Sequence, residues 1–270
     1  MIRALLISLL FCIPHVNAQD TEKPSAEQIR TGDTFEVFMS NPLYTPISTR
    51  FDITQTNMQL SQGESFDIVI PARSRTLAFT AEPSNPQRIW RFNYHYTWYQ
   101  GDINAVHDSA ANYDLPFERG KAFKLIQGYN GSFSHFDQNQ YALDFDMPVG
   151  TPVTAAREGT VVRIETSFME GGTDPSLKDK ANVITILHSD NTMADYVHLS
   201  YDSSLVTLGQ QVQRGDVLGY SGNVGYSTTP HLHFHVYQLT DTSGNWQTLP
   251  VRFIINGKAV ELQEGQSYRH

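Results

Sequence analysis

The segment Pro-His-Leu-His-Phe-His-Val at residues 230–236 most constrains the fold of this chain. Histidines alternate there with apolar residues, and a period of two is typical of a β-strand with one polar and one buried face. His231, His233 and His235 would share one face, about 6 to 7 Å apart, so one imidazole could bind a metal ion while the next contacts a group beside it. A half-buried strand whose polar face happens to carry histidine is the alternative.

The first 18 residues have the features of a secretory signal peptide. Arg3 precedes an apolar stretch at residues 4–13, and Val16-Asn17-Ala18 favours cleavage after Ala18. The stretch is too short to span a bilayer, and no later stretch is apolar enough to do so. We therefore expect an exported protein without a membrane span. The periplasm is favoured over the extracellular space, because the sequence shows no wall-anchoring motif.

Composition restricts the metal ligands and the partners. The single cysteine, Cys12, lies in the predicted signal peptide, so the mature chain has neither disulfides nor thiolate ligands. Any metal ion must then be bound by His, Asp or Glu. The net charge is −9, and cleavage removes Arg3 as well. This acidic balance argues against nucleic acid as a partner.

Short strand-like stretches separated by turn residues predict an all-β protein. Residues 19–33 are polar and predict a flexible leader. Residues 34–112 contain short stretches between Pro, Gly, Asn and Ser turns, which predict a small antiparallel β-sandwich-like N-terminal module. Residues 113–270 are again β-rich, with frequent glycines and no strongly amphipathic helix. Within them, the polar segment 166–180 is predicted to be a mobile loop.

Three further segments carry polar residues in recognisable motifs. One runs from His135 through Asp144-Phe145 to Pro148-Val149-Gly150-Thr151-Pro152-Val153; another begins at Asn182 and ends in His198-Leu199; the last is Ser221-Gly222-Asn223-Val224-Gly225, which leads into Pro230-His231. In these motifs, over about residues 127–253, the chain resembles the lysostaphin/LytM-type zinc metallopeptidases of peptidase family M23. The resemblance implies that residues 113–270 form a peptidase domain whose antiparallel sheet is the floor of a groove.

The resemblance also implies roles for single residues. Asp144 and His233 match zinc ligands of the family. His198 and His231 match the two histidines beside the metal-bound water, and either of them could be the general base. Asn182 opens the strand where the family often has an asparagine near the site.

The sequence departs from the family at the first ligand. The family commonly has a histidine four residues before the aspartate, where this chain has Gln140, and an amide is a poor zinc ligand. His135 lies nine residues before Asp144, and Gly128 and Gly131 leave the backbone before it pliable. We predict that His135 is the third ligand. The alternative is a surface histidine and a site that has lost a ligand.

Two imidazoles and one carboxylate would hold one Zn²⁺ and leave a fourth position for water, which is the pattern of a catalytic site. Such an ion lowers the pKa of its water toward about 7. The region lacks a His-Glu-x-x-His arrangement, so the base is predicted to be His198 or His231. Tyr129 is a candidate oxyanion donor, with a buried packing tyrosine as the alternative.

The remaining histidines are predicted to lie outside the site. His188 ends a strand before a turn and is expected to face solvent. His235 points to the same side as His231 but lies further along the strand. The terminal His270 is expected to be disordered.

The resemblance implies an exported zinc metalloendopeptidase that hydrolyses amide bonds in peptidoglycan cross-links or stems. We expect a monomer whose N-terminal module docks on the groove as a latch, binds a wall component or acts as a spacer. Two alternatives stay open. One is a non-catalytic LytM-like regulator that binds and activates other wall hydrolases, and the other is a secreted protease acting on Gly-rich proteins.

Overall fold

A computed structural model describes residues 22–270, and these residues form an all-β protein, as predicted. Two short 3-10 helices, Asp137–Asn139 and Pro175–Leu177, are the helical elements of this range, and neither is long and apolar enough to cross a membrane. The predicted signal peptide, residues 1–18, lies outside the described residues. So does the beginning of the predicted leader.

Seven strands come first along the described chain: β1 (Ser25–Thr31), β2 (Thr34–Asn41), β3 (Ile47–Thr56), β4 (Met58–Leu60), β5 (Ser65–Ile70), β6 (Ser74–Pro83) and β7 (Arg91–Gln100). They form two antiparallel sheets. One has the order β1-β2-β6-β4, and in the other β3 lies between β5 and β7.

An aromatic core holds these two sheets together. Phe51 of β3 contacts Phe79 of β6 edge to face, with ring centroids 5.7 Å apart, and stacks on Phe66 of β5 at 5.4 Å. Phe51 and Phe79 are almost fully buried. Burial of one such ring contributes about 2 kcal/mol. The two sheets therefore enclose one core in a sandwich-like arrangement, while the module boundaries at residues 34 and 112 stay predictions.

The flexible leader predicted at residues 19–33 is wrong for residues 25–31, which form the edge strand β1. This strand pairs with the whole of β2, from Ser25 opposite Ser40 to Thr31 opposite Thr34. Gly32 connects the two strands with a positive φ of 64°. The polar composition that suggested a leader instead suits an edge strand whose side chains mostly face water.

The strands of the second half are β8 (Asn112–Tyr113), β9 (Ala122–Gln127), β10 (Leu143–Phe145), β11 (Pro152–Thr154), β12 (Gly159–Glu165), β13 (Gly171–Gly172), β14 (Val183–Leu187), β15 (Met193–Val197), β16 (Gln211–Val212), β17 (Val217–Tyr220), β18 (Gly225–Tyr226), β19 (Leu232–Leu239), β20 (Trp246–Leu249), β21 (Arg252–Ile255), β22 (Lys258–Val260) and β23 (Ser267–Arg269). Nine of them form an antiparallel sheet of order β16-β12-β14-β15-β19-β10-β9-β23, with β20 also paired to β19. The histidine strand is β19, which lies between β15 and β10.

One face of this large sheet packs on an apolar core. Phe234 of β19 is fully buried, opposite Tyr196 of β15 on one side and Leu143 of β10 on the other. Leu232 and Val236 point the same way, because side chains two apart on a strand share a face. The histidines of β19 therefore lie on the other face of the sheet.

The segment 166–180, predicted to be mobile, is hydrogen-bonded to its surroundings. The side-chain amide of Asn182 donates to the Phe168 carbonyl (2.9 Å), and its oxygen accepts the Phe168 N–H (3.0 Å). β13 pairs in parallel with β18. A Cβ at Gly171 would lie only 1.6 Å from the carbonyl oxygen of Asn223, so this close approach requires glycine.

The first half of the chain contacts the large sheet at one end. Thr242 in the β19–β20 turn donates to Asp67 (2.9 Å), and Asn191 in the β14–β15 turn donates to Asp102 (2.8 Å). Both turns lie at the strand ends away from His198, roughly 15 Å along β15. These contacts place the N-terminal module beside the sheet and give no support to the predicted latch over the groove.

A buried ionic cluster lies at this same end of the sheet. The Arg157 guanidinium donates to Asp190 (2.9 Å) and to the Tyr113 hydroxyl (3.1 Å). Burial alone would raise the pKa of Asp190, but hydrogen bonds from Thr192 and Arg157 hold that pKa well below its usual range. The aspartate is therefore ionised and paired.

His188, predicted to face solvent, is buried beside this cluster. Its Nδ1 donates to the Glu158 carbonyl (2.8 Å), and its ring packs edge-on against Tyr113 with centroids 5.7 Å apart. Burial lowers the pKa of His188 to about 4. The sequence was misleading here because Tyr113, which covers the strand end, is distant along the chain.

Replacement of His188 by Phe should make the free energy of unfolding less sensitive to acid. Between pH 6.5 and pH 4 the unfolded chain protonates this histidine, while the folded chain with its pKa of about 4 does not. The unfolded state binds more protons in this window, so stability falls as the pH is lowered, by up to about 3 kcal/mol for this group. Urea unfolding across the window measures the slope.

The exposed His95 of β7 provides a control. His95→Gln, unfolded under the same conditions, removes a histidine that lies outside the buried cluster. Equal slopes for His188→Phe and the unmodified chain would contradict the assignment of this pH dependence to His188.

Candidate metal centre

A row of polar side chains crosses the face of the large sheet that lies away from the apolar core. Register places its members directly opposite one another on neighbouring strands, where side chains lie close enough to bond. Thr185 of β14 faces Asp195 of β15, which faces His235 of β19. Two residues away on β19, His233 faces Asp144 of β10, which in turn faces Gln127 of β9. We call these six residues the polar row.

Asp144 is the centre of the polar row. Its Oδ1 lies 2.8 Å from His233 Nδ1, and its Oδ2 accepts a hydrogen bond from Gln127 Nε2 (2.9 Å). His135 Nε2 lies 3.3 Å from the same Oδ2. Burial alone would raise the pKa of Asp144, but the hydrogen bonds and positive charge that His135 and His233 supply when they are protonated outweigh it and hold the pKa well below its usual range. A buried carboxylate is thus kept ionised by its surroundings.

A compact turn brings His135 to this carboxylate. The His135 N–H donates to the Gly131 carbonyl (3.1 Å), and its ring Nδ1 donates to the Gly128 carbonyl (2.9 Å). The oxygen of the Gln127 side chain accepts the backbone N–H groups of residues 133 and 134 (3.1 and 3.2 Å). Gln127 therefore orients Asp144 and holds the turn that carries His135.

His135 directs its Nε2 atom toward Asp144 and leaves a position for a cation between the two side chains. In the neutral ring Nδ1 carries the proton donated to Gly128, so Nε2 has a lone pair, and this atom is buried without a hydrogen-bond partner among the described residues. A lone pair that faces the Asp144 carboxylate is repelled unless positive charge lies between them. His135, Asp144 and His233 each offer a ligand atom, all within 4.8 Å of one another. Two imidazole nitrogens and a carboxylate fit zinc.

His198 and His231 lie beside this group. Their ring centroids are 4.6 Å apart. His198 Nδ1 donates to the Val224 carbonyl (2.7 Å), and His231 Nδ1 donates to the Thr229 carbonyl (2.7 Å). Each ring therefore keeps a lone pair on Nε2, and His231 Nε2 lies 3.8 Å from Asp144 Oδ1. Two imidazoles whose Nδ1 atoms are bonded to backbone carbonyls thus border the candidate metal position.

The segment of residues 221–225 packs closely against the backbone around His198. His198 follows β15 with a positive φ of 64°, which is uncommon outside glycine. A Cβ at Gly222 would lie 2.7 Å from the Ser200 nitrogen and 2.8 Å from the His198 oxygen. Burial, together with His231 and His233, lowers the pKa of His198 to about 3, so this imidazole is neutral.

Comparison with known proteins relates this part of the chain to a peptidase family. The sequence model of peptidase family M23 matches residues 138–248. The chain contains a peptidase family M23 domain. Its relatives include the glycyl-glycine endopeptidase ALE-1 of Staphylococcus capitis, 37% identical over 40% of this chain and 26% of that protein. They also include the peptidoglycan DD-endopeptidase ShyA of Vibrio cholerae, 40% identical over 34% of this chain and 19% of that protein.

Among solved structures, the catalytic domain of lysostaphin from Staphylococcus simulans is 28% identical. The match covers 47% of this chain and 87% of that domain, with a TM-score of 0.32. An uncharacterized metalloprotease of Buchnera aphidicola is 38% identical over 50% of this chain. The chain spans about a third or less of the length of each of these three curated relatives.

His135 lies three residues before the matched region and is close to Asp144. The predicted candidates His135, Asp144, His233, His198 and His231 come together in one cluster, although they come from distant parts of the sequence. At position 140, where the family commonly has histidine, the backbone carbonyl of Gln140 accepts the Asn130 N–H (2.7 Å) and closes the same loop. The loop thus brings His135 to within 3.3 Å of Asp144.

Two predicted site residues have other roles in the structure. The Tyr129 hydroxyl donates to the Val251 carbonyl and accepts the Val251 N–H, both at 3.0 Å, so it is not free to stabilise an oxyanion. Burial raises the pKa of Tyr129. Asn182 donates to the carbonyls of Phe168 and Leu199 (2.9 and 3.0 Å) and thereby anchors the residue after His198. Both are packing residues that shape the site from outside.

Sequence reasoning missed four residues of the polar row, namely His235, Asp195, Thr185 and Gln127. His235 Nδ1 lies 3.0 Å from His233 Nε2, and His235 Nε2 lies 3.7 Å from Asp195 Oδ2. Burial lowers the pKa of His235 and raises that of Asp195. A signal was present, since Asp195 is an acidic residue in the apolar strand Met-Ala-Asp-Tyr-Val. Gln127 gave no comparable signal, because polar residues at strand ends are common.

Replacement of Gly222 by Ala should destabilise the M23 domain by roughly 1–3 kcal/mol, because the new methyl group overlaps backbone atoms of residues 198–200. Thermal or urea unfolding measures the loss. Gly63→Ala is the matched control, since its Cβ would lie 3.7 Å or more from its neighbours. Equal stability of the two variants would contradict the close approach.

Replacement of His135 by Ala should abolish zinc retention, while replacement of Gln140 by Ala should preserve it. His135 contributes one of the three clustered ligand atoms, and an amide is a weak ligand for zinc. Metal analysis after dialysis of the purified variants measures retention. Retention by His135→Ala with loss in Gln140→Ala would show that the wrong residue had been assigned.

Proposed function

We propose that this protein is a zinc metalloendopeptidase that hydrolyses amide bonds in the peptide cross-links or stems of peptidoglycan. The observation that carries the proposal is the His135–Asp144–His233 group with His198 and His231 beside it. The named activities of ALE-1 and ShyA support an endopeptidase acting on wall peptides.

His135, Asp144 and His233 would hold the ion. When bound there, zinc would act as a Lewis acid on the substrate carbonyl and lower the pKa of a water. The buried carboxylate of Asp144 contributes the negative charge that makes the position attractive to a cation. Gln127 keeps that carboxylate oriented through its hydrogen bond to Oδ2.

His231 and His198 would move the protons of the reaction. A general base needs a neutral, accepting nitrogen within reach of the water it deprotonates. Both rings donate through Nδ1 to backbone carbonyls and so accept through Nε2. His231 Nε2 lies 3.8 Å from Asp144, which supports His231 as the acceptor. His198 would then stabilise the oxyanion or return a proton to the leaving amine.

Exposed apolar side chains on the neighbouring loops support a substrate groove. Phe133 and Phe136 flank His135 and are 64% and 57% exposed. Met169 and Tyr201 are also exposed. Met169 lies in the segment that is hydrogen-bonded to Asn182, and Tyr201 lies three residues after His198. Exposed apolar residues that surround a polar site are typical of ligand-binding surfaces.

We further propose that the protein is exported and acts in the periplasm as a monomer. The predicted signal peptide at residues 1–18 and the wall endopeptidase names of the relatives support this location. A role as a regulator of other wall hydrolases is less consistent with the clustered His–Asp–His group.

Mass spectrometry of muropeptides tests the function. Purified zinc-loaded protein should remove cross-linked or full-length stem species from intact peptidoglycan, and a chelated sample should not. The His231→Gln and His198→Gln variants should retain zinc but lose about 10² to 10⁴ in rate, because general acid–base groups contribute that much. The product masses identify the bond.

The exposed His95→Gln variant is the control and should digest peptidoglycan like the unmodified chain. An unchanged muropeptide profile with zinc bound would refute peptidoglycan as substrate and direct the test to Gly-rich proteins. An unchanged profile without bound zinc would favour the regulator.

A further inference from the structure

A chain of buried groups continues from His233 away from Asp144. His233 Nε2 lies 3.0 Å from His235 Nδ1, and His235 Nε2 lies 3.7 Å from Asp195 Oδ2. Asp195 Oδ1 accepts a hydrogen bond from the Thr185 hydroxyl (2.6 Å). All of these residues except His233 are at least nine-tenths buried. The proposed function uses none of them beyond His233.

The hydrogen-bond chain determines which nitrogen of His233 carries the proton. To offer a lone pair to a metal ion through Nδ1, His233 must carry its proton on Nε2. That proton points at His235 Nδ1, which accepts it only when the proton of His235 is on its own Nε2. This proton then faces the carboxylate of Asp195. The tautomers of the two histidines are therefore coupled.

Asp195 favours the arrangement that suits a metal ligand. Its carboxylate attracts the Nε2 proton of His235, and at 3.7 Å this attraction is electrostatic rather than a full hydrogen bond. Thr185 occupies the other carboxylate oxygen and holds Asp195 in place. Trp246 of β20 stacks on the His235 ring, with centroids 5.6 Å apart and planes 13° apart, which fixes the ring plane.

We propose that His235 and Asp195 are positioning residues that hold His233 in the tautomer and orientation required of a metal ligand. This inference rests on the proposed metal site of His135, Asp144 and His233. Outer groups of this kind typically change metal affinity by 10- to 100-fold when they are replaced. His235 thus belongs to the function of the site, although it neither binds the metal nor touches the substrate.

Zinc affinity, measured by competition with a chromogenic chelator, tests the proposal without any substrate. His235→Phe keeps a ring against Trp246 but cannot accept the proton, and it should weaken zinc binding 10- to 100-fold. Asp195→Asn should weaken it in the same direction, because an amide nitrogen facing His235 opposes the required tautomer. His235→Gln supplies an accepting oxygen and should recover part of the affinity.

The matched control is His188→Phe, the same substitution at a buried histidine at the other end of the sheet. It should bind zinc like the unmodified chain. Thermal unfolding of every variant in the absence of zinc separates loss of affinity from loss of fold. If a His235 variant does not fold, the comparison relies on Asp195→Asn, which changes no side-chain volume.

Nitrogen-15 chemical shifts of the imidazole rings provide a readout that a purely structural role would not change. In the zinc-loaded chain, His233 and His235 should both carry the proton on Nε2. Asp195→Asn should shift the His235 population toward the Nδ1 proton. Unchanged zinc affinity in both His235→Phe and Asp195→Asn, or a His235 proton on Nδ1 in the loaded chain, would overturn the proposal.

Failure of the proposed metal site and failure of the proposed positioning role of His235 and Asp195 give different results. An unmodified chain that does not bind zinc would overturn both proposals. An unmodified chain that binds zinc only as tightly as its His235 and Asp195 variants would overturn the positioning role of these two residues alone.

Discussion

The buried carboxylate of Asp144 is the constraint on which the candidate site depends. An ionised group inside a protein is costly unless positive or hydrogen-donating groups surround it. Gln127 supplies one donor, and His233 and His135 direct ring nitrogens at the carboxylate. The His135 Nε2 faces the carboxylate without a hydrogen-bond partner among the described residues, so a cation between them would complete the arrangement. The same electrostatics that would make the site unfavourable without an ion make it a strong ligand group.

The antiparallel sheet makes such a charged group compatible with a stable core. Alternation along β19 sends Phe234 into the apolar core and His233 to the opposite face. Register then places Asp144 and Asp195 beside the histidines of β19 on the polar face. Strand β19 thus contributes apolar side chains to the core on one face of the sheet and polar side chains to the candidate site on the other.

Loops complete the site where strands cannot. The turn at residues 128–135 wraps around the Gln127 side chain, and this brings in a histidine that is nine positions from Asp144. Residues 221–225 pass so close to His198 that Gly222 has no room for a Cβ. The first half of the chain contacts the large sheet at the end away from His198. The surroundings of His198 and His231 described above come from the second half of the chain.

The sequence by itself determined the all-β class and the strand character and two-faced pattern of residues 230–236, because these follow from local alternation and turn chemistry. Through its motifs it also identified Asp144, His198, His231 and His233 as candidates. Tertiary structure decided what local patterns cannot encode. It placed His135 beside Asp144, bound the Tyr129 hydroxyl to Val251 and buried His188 under Tyr113. It also joined His235 to Asp195, because cross-strand neighbours depend on register between segments that are far apart in the chain.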